Sequence, residues 1–122
     1  MVQKESLVYI CDNSGAKIAK CISVLQKKKV AKIGDLLLIS LLKVKIKKKK
    51  LVNNKIYLAI LLRLSKIKEK HTGIIKYSDK SEVCLLSPQK KILSTRIFGS
   101  IPKELKKKKN FKLLSITIPG FY

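Results

Sequence analysis

Short apolar segments separated by polar turns run along most of the chain, and this pattern predicts strands rather than helices. We predict strands at residues 6–11, 20–25, 36–42, 56–64, 74–77, 83–86 and 113–118. Strands of this length and spacing indicate a mainly β chain that folds as a small β-barrel. With 122 residues and no internal repeat or linker, residues 1–122 are expected to form a single domain.

Turns and charged connections divide these strands. Residues 12–15 are Asp-Asn-Ser-Gly, a strong turn signal, and Gly34-Asp35 predicts another turn. The apolar run at 36–42 is expected of a strand that is buried on both faces. Residues 27–29 and 66–70 are predicted to be charged connections between strands.

A projecting ribbon and a short helix complete the predicted elements. Lysine alternates with Val44 and Ile46 from residue 43 to 47, so these lysines share one face of a strand. The lysines at 47–50 break the alternation and indicate the tip of a ribbon, which we place around 43–56. Ser100 can cap a helix over 102–109, so a short helical part is expected around 100–110.

The balance of charge indicates a polyanionic partner. The chain has 29 basic and 7 acidic residues, a net charge of +22, and the stretches 17–32 and 43–63 contain no acid. Ordinary solvated surfaces mix both signs, and a chain this basic repels itself unless an anion neutralises it. Because only 6% of the residues are aromatic, phosphate contact should dominate over base stacking in any binding of nucleic acid.

Other classes of protein fit the sequence poorly. The apolar runs are far shorter than the roughly 20 residues that span a bilayer, and no signal peptide is visible, so we expect no membrane partner. The acids are scattered and no glycine-rich phosphate loop occurs, so we expect neither catalysis nor a cofactor. Cys11, Cys21 and Cys84 lack the paired spacing of a zinc site and are expected to be buried thiols that hold no metal.

Two motifs resemble signatures of one family, the bacterial-type ribosomal protein L-fourteen family. The first is Asp12-Asn13-Ser14-Gly15-Ala16, followed by Cys21-Ile22. The second is Ser94-Thr95-Arg96-Ile97-Phe98-Gly99, followed by Lys103-Glu104-Leu105. Residues 33–35 and 59–63 also resemble the family, whereas Ser94 replaces its usual glycine and residues 66–81 match it poorly.

The resemblance implies both a fold and a function. The expected fold is a small five-stranded β-barrel with a projecting β-ribbon and a short C-terminal helical segment. The expected function is that of a structural constituent of the large ribosomal subunit, which binds large-subunit rRNA at the subunit interface and forms bridges to small-subunit rRNA. Expected neighbours are ribosomal proteins L-nineteen and L-three, and in bacteria and organelles a ribosome-silencing factor docks on members of this family.

Two groups of residues are candidates for these contacts. For rRNA binding they are Asn13, Ser14, Lys17, Lys27, Lys28, Lys29, Lys32, Lys43, Lys45, Lys47, Lys48, Lys49, Lys50 and Arg63, although Asn13 and Ser14 also suit a turn. For protein docking at the subunit interface, Thr95 and Arg96 match the family's Thr-Arg pair, and Lys112 and Ser115 align to the same face in one of two registers. Arg96 has alternatives, which are to bind rRNA or to brace the turn before Phe98.

The composition also bears on the source of the chain and on competing functions. The basic residues are lysine except for Arg63 and Arg96, and an abundance of lysine and isoleucine indicates an AT-rich genome. We expect an organellar ribosome, because a chain that starts where the family starts fits synthesis inside the organelle, and we prefer a mitochondrion to a plastid. Otherwise we expect the cytoplasm of an AT-rich bacterium. The main alternative function is a free-standing basic barrel protein that binds nucleic acid as an RNA chaperone or nucleoid protein. A cationic membrane-active peptide is disfavoured by the barrel pattern.

Overall fold

The structure is a computed structural model that describes residues 2–27, 29–44, 55–68, 72–102, 105 and 117–118. Its strands are β1 (Val2–Gln3), β2 (Leu7–Ile10), β3 (Ala16–Val24), β4 (Val30–Ala31), β5 (Leu36–Val44), β6 (Ile56–Arg63), β7 (Lys66–Lys68), β8 (Ile75–Tyr77), β9 (Glu82–Leu86), β10 (Ile97–Phe98) and β11 (Thr117–Ile118). Among the described residues, no helix is both long enough and apolar enough to cross a membrane.

A closed five-stranded barrel organises the chain, in the order β2, β3, β5, β6 and β9. Neighbouring strands along this order are antiparallel, and β9 closes the barrel by pairing in parallel with β2. Closure pairs every barrel strand on both sides, so no strand edge is left open to unwanted pairing. The mainly β fold and the five-stranded barrel are therefore confirmed.

The interior of the barrel is filled by side chains that alternate along its strands. The inward residues with no exposed surface include Leu37, Ile39 and Leu41 of β5, Ala59 and Leu61 of β6, and Val83 and Leu85 of β9. A barrel of so few strands is just wide enough to be packed solid. The prediction that residues 36–42 are buried on both faces is wrong on the outer face, because the Leu42 side chain there is 41% exposed.

Two predicted boundaries are corrected by the strand pairing. Strand β3 begins at Ala16 rather than at residue 20. The prediction missed this start because register shifts on either side of Ile18 interrupt the alternation of buried and exposed positions. Residues 66–68 are strand β7 rather than a charged connection, and they pair with β8 outside the barrel. Ile67 is buried between two exposed lysines, a period-two pattern that the surrounding charge concealed.

The remaining strands form small sheets beside the barrel. Strand β1 pairs antiparallel with β4, and β10 pairs in parallel with β11. Strand β11 lies within the predicted strand at 113–118, whose other residues are outside the described part of the chain. The predicted ribbon tip at 47–50 and most of the helical part at 100–110 also lie outside the described residues.

Candidate RNA-binding surface and docking site

The predicted RNA-binding residues divide between the two ends of the barrel. At one end, Ala16 pairs with Val44, and the β2–β3 turn lies beside the base of the predicted ribbon; we call this the ribbon end. At the other, the connection from β3 to β5 adjoins the end of β6, where Gly34 donates a backbone hydrogen bond to Leu61; we call this the loop end. Strand β5 connects the two ends, and its nine residues span roughly 27 Å along the strand at about 3.4 Å per residue.

Exposed lysines lie at both ends. At the ribbon end, Lys17 and Lys43 are exposed, and Lys43 pairs with Ile18, the neighbour of Lys17. At the loop end, Lys27, Lys29 and Lys32 are exposed. The other lysines of the predicted set, Lys28, Lys45, Lys47, Lys48, Lys49 and Lys50, lie outside the described residues. The described lysines of the predicted set thus form two basic surfaces at opposite ends of the barrel.

The first family motif forms the β2–β3 turn around a buried carboxylate. One oxygen of Asp12 accepts hydrogen bonds from the backbone N–H of Ser14 at 3.0 Å and from the Ser14 hydroxyl. Its other oxygen accepts the backbone N–H of Leu85 at 3.0 Å, which ties the turn to β9. Gly15 follows with a φ of 104°, a conformation that L side chains rarely adopt. The predicted turn is confirmed, and Ser14 is part of its hydrogen bonding.

Asn13 joins the two family motifs. Its Nδ2 donates to the Thr95 hydroxyl at 2.8 Å, and its Oδ1 accepts the backbone N–H groups of Thr95 and Arg96 at 3.1 and 3.3 Å. The Asn13 backbone N–H also donates to the Arg96 carbonyl at 3.3 Å. The structure therefore brings a predicted RNA-binding residue together with two predicted docking residues. Thr95 and Arg96 are both exposed, whereas Lys112 and Ser115 lie outside the described residues.

Arg63 turns its side chain into the protein. It lies at the end of β6 with 9% of its surface exposed, and its guanidinium forms an ion pair with Glu82. The same group donates to the carbonyls of Phe98 at 2.6 Å and Ser100 at 3.1 Å. The planar fork suits two carbonyls at once, which a lysine ammonium could not match in geometry. Contact between Arg63 and RNA stays a prediction, and the buried position of the guanidinium does not favour it.

Gly99 lies between the two carbonyls that Arg63 binds. Its φ is +81°, and a Cβ at this position would meet the Arg63 guanidinium. Only glycine fits both the backbone conformation and the close approach. Gly99 and Arg63 together fix the segment that follows the Thr-Arg pair.

One of the few acidic residues, Glu5, forms an ion pair on the surface. The Lys20 ammonium lies 2.7 Å from the Glu5 carboxylate. The hydrogen bond and charge of Lys20 lower the pKa of the Glu5 carboxyl below its usual value. Both side chains are largely in water, so the pair contributes little to stability.

All three cysteines are buried free thiols, as expected. Burial raises the pKa of the Cys11 thiol to about 12 and also raises the pKa of Cys21 and of Cys84. Thiols in this state are poor nucleophiles and poor metal ligands. Within the described ranges, no three His, Cys, Asp or Glu side chains lie close enough together to hold a metal ion.

Comparison with known proteins agrees with the fold and the two motifs. Residues 1–118 match the model of the family described as Ribosomal protein L14p/L23e. This chain belongs to that ribosomal protein family. It is also similar to the large ribosomal subunit protein uL14 of the bacterium Carsonella ruddii (strain PV), with 39% identity over 120 residues that cover 96% of this chain and 97% of the relative. The resemblance to this family is therefore confirmed, and the chain is a structural ribosomal protein of a family that is not a class of enzymes.

Several residues that shape this ribosomal protein's surface were not among the predicted site residues. Asp12 holds the turn, Glu82 pairs with Arg63, and Gly99 allows Arg63 its place. The spacing of Asp12 and Ser14 is itself a signal, because an Asp side chain often bonds the N–H two residues later. For Glu82 no local signal exists, since its partner comes from another strand.

Proposed function

We propose that this ribosomal protein is a structural constituent of the large subunit and binds large-subunit rRNA. The observation that carries the proposal is family membership over nearly the whole chain. The net charge of +22 supports it, because such a chain needs a polyanion to neutralise it. A free-standing RNA chaperone or nucleoid protein is not favoured, because a barrel protein outside this family is not expected to contain both family motifs.

Binding to RNA rests mainly on phosphate contact by lysine. The exposed lysines at both barrel ends, with those of the predicted ribbon, neutralise phosphates and release counterions. Asn13 and Ser14 act indirectly in this proposal, because their side chains are hydrogen-bonded within the protein. They shape the ribbon end and set the direction in which its lysines approach the backbone of the RNA.

The ribbon end is the proposed face toward the other subunit. There the chain contributes to bridges with small-subunit rRNA and lies beside ribosomal proteins L-nineteen and L-three. This proposal is supported because the base of the ribbon, the first motif and the Thr-Arg pair all lie at this end of the barrel. A surface held by the rigid barrel can keep one orientation while subunits join and separate.

A ribosome-silencing factor is the proposed regulatory partner. Its docking surface comprises Thr95 and Arg96, together with Lys112 and Ser115. Thr95 and Arg96 are exposed while Asn13 fixes their backbone, so this pair is preorganised for binding. Arg96 is one of only two arginines among 29 basic residues, which supports planar, two-pronged recognition of a carboxylate.

The compartment is a separate proposal. We place the ribosome in a mitochondrion, because the abundance of lysine and isoleucine indicates an AT-rich genome such as an organelle's. The cytoplasm of an AT-rich bacterium is the competing location, and the bacterial origin of the relative favours it. The rRNA that co-purifies with the chain identifies the ribosome and decides between the two.

Sedimentation tests the central proposal. Extracts are separated on sucrose gradients at high salt, and an antibody follows the chain across the fractions. A large-subunit constituent co-sediments with large subunits and with joined ribosomes after the salt has removed loosely bound proteins. A chain found only in free or small-subunit fractions contradicts the proposal.

A further inference from the structure

Four exposed side chains share one face of the β7–β8 hairpin. The register pairs Lys66 with Tyr77 and Lys68 with Ile75, and cross-strand partners point to the same side of a sheet. Tyr77 is 71% exposed and Ile75 is 40% exposed, while Lys66 and Lys68 are exposed as well. The opposite face carries Ile67, which is buried. The hairpin thus presents an aromatic ring, an aliphatic side chain and two cations together.

The Tyr77 ring differs from the other rings that have a lysine above them. The Lys66 ammonium lies 5.9 Å from the centre of the Tyr77 ring, and similar pairs join Lys55 to Tyr57 and Lys80 to Tyr9. Tyr9 and Tyr57 are half-buried, so they are part of the packing of the barrel. Because 71% of the surface of Tyr77 is exposed, another planar group can stack on its ring next to the Lys66 side chain.

A shallow cavity opens next to this ring. It has a volume of about 320 Å³ and is lined by Arg63, Tyr77, Ser78, Asp79 and Ser100. Hydroxyl and carboxylate groups there can bond to the polar edge of a base, because bases offer both donors and acceptors on that edge. A ring for stacking, polar groups at its side and lysines for phosphate are the elements that single-strand binding surfaces combine.

We infer that this face of the hairpin, with Tyr77 at its centre, binds an unpaired nucleotide of RNA by stacking its base on the ring. The inference rests on the proposed binding of rRNA and adds a base contact to a surface otherwise expected to touch phosphate. A protein partner is less suitable, because burying the face would strip water from two lysines that lack acids among their cross-strand partners. RNA leaves those lysines paired with phosphates and partly in water.

Binding of short RNAs by the full chain tests the inference. The probes are a fluorescent single-stranded RNA oligonucleotide and an RNA duplex of equal charge, both in moderate salt. Tyr77→Leu keeps the apolar bulk but removes the ring, so we expect about tenfold weaker binding of the single strand. Binding of the duplex should change by less than about twofold, because stacked and paired bases offer no free face.

Tyr77→Phe is the matched control, since it keeps the ring and should bind the single strand as the wild type does. Equal affinity of the wild type and Tyr77→Leu for the single strand overturns the inference, while co-sedimentation with large subunits would still support the proposed function. Unchanged RNA binding with poorer incorporation of Tyr77→Leu into large subunits also overturns it and assigns the face to a protein neighbour. Thermal unfolding confirms that each variant is folded.

Discussion

Asn13 and Thr95 are 82 residues apart in the chain, yet the Asn13 amide donates a 2.8 Å hydrogen bond to the Thr95 hydroxyl. The oxygen of the same amide accepts the Thr95 backbone N–H, so both polar atoms of the Asn13 side chain bond to Thr95. Asp12 fixes the β2–β3 turn to β9 by accepting the backbone N–H of Leu85. The exposed Thr-Arg pair is consequently held by the barrel itself rather than by its own local segment.

Asn13→Ala should destabilise the protein by about 1–2 kcal/mol, because the exposed backbone N–H groups of Thr95 and Arg96 exchange their protein acceptor for water. Asn13→Asp keeps an oxygen for both N–H groups and can accept from the Thr95 hydroxyl, so it should cost clearly less. Urea unfolding of the wild type and both variants measures the difference. Equal losses for Ala and Asp would show that the acceptor oxygen is not what holds the pair.

Replacement of glycine separates the role of Arg63 from that of backbone strain. Gly99→Ala places a methyl group against the Arg63 guanidinium at a φ of +81°, whereas Gly73→Ala meets nothing within 4 Å at a φ of +70°. Strain alone costs about 1–2 kcal/mol at either position. Gly99→Ala should cost about 3–5 kcal/mol, because Arg63 must also leave its part-buried carbonyl partners and its ion pair with Glu82. Similar unfolding free energies for the two variants would contradict a brace formed by Arg63.

Salt dependence measures the phosphate contacts of the predicted ribbon. If about six lysines meet phosphate, the slope of log affinity against log salt should be near −5 for a duplex-like site. Lys45→Gln combined with Lys47→Gln should flatten that slope by about 2. Lys4→Gln combined with Lys91→Gln removes the same charge from exposed positions outside the predicted set and is the control. A slope that stays the same in the ribbon variant removes the ribbon from the RNA-binding surface.

How far the sequence predicts this molecule depends on the range of each interaction. Strands β6 and β9 were predicted within about one residue, since each is a buried apolar run. The start of β3 was not, because bulges break its alternation, and β7 was hidden by the lysines around Ile67.

Long-range contacts explain the remaining gaps at the site. The bond from Asn13 to Thr95 spans 82 residues, and Arg63 meets carbonyls 35 and 37 residues further along the chain. No local pattern encodes such pairs. Arg63 was predicted to bind RNA, but its planar fork donates to two carbonyls inside the protein.

Buried thiols predict a loss of stability at high pH. The pKa of Cys11 is raised to about 12 by burial, from 9.0 for an ordinary thiol, so the folded state keeps this proton longer than the unfolded chain. Stability from the neutral thiol is complete below about pH 9 and declines as pH rises toward 12, by up to about 1.4 kcal/mol per pH unit.

Cys11→Ala removes that titration. Its unfolding free energy should therefore fall less steeply than that of the wild type between about pH 9 and 11. All other ionisable groups are common to both proteins, so the difference between the two curves isolates the thiol. Parallel curves would mean that the folded protein releases the Cys11 proton as easily as the unfolded chain does.

Arg96 tests the docking surface, because Arg96→Lys keeps the charge and removes the planar fork. Asn13 fixes the Arg96 backbone through both its N–H and its carbonyl, so the substitution should leave the fold and incorporation into large subunits intact. A matching silencing factor should then bind about tenfold more weakly, a loss of roughly 1.4 kcal/mol. Lys91→Arg is the control, because it makes the reverse exchange of lysine for arginine at an exposed position, and this variant should bind the factor normally. Normal binding of the factor together with poor subunit assembly would instead assign the Arg96 guanidinium to rRNA or to the turn before Phe98.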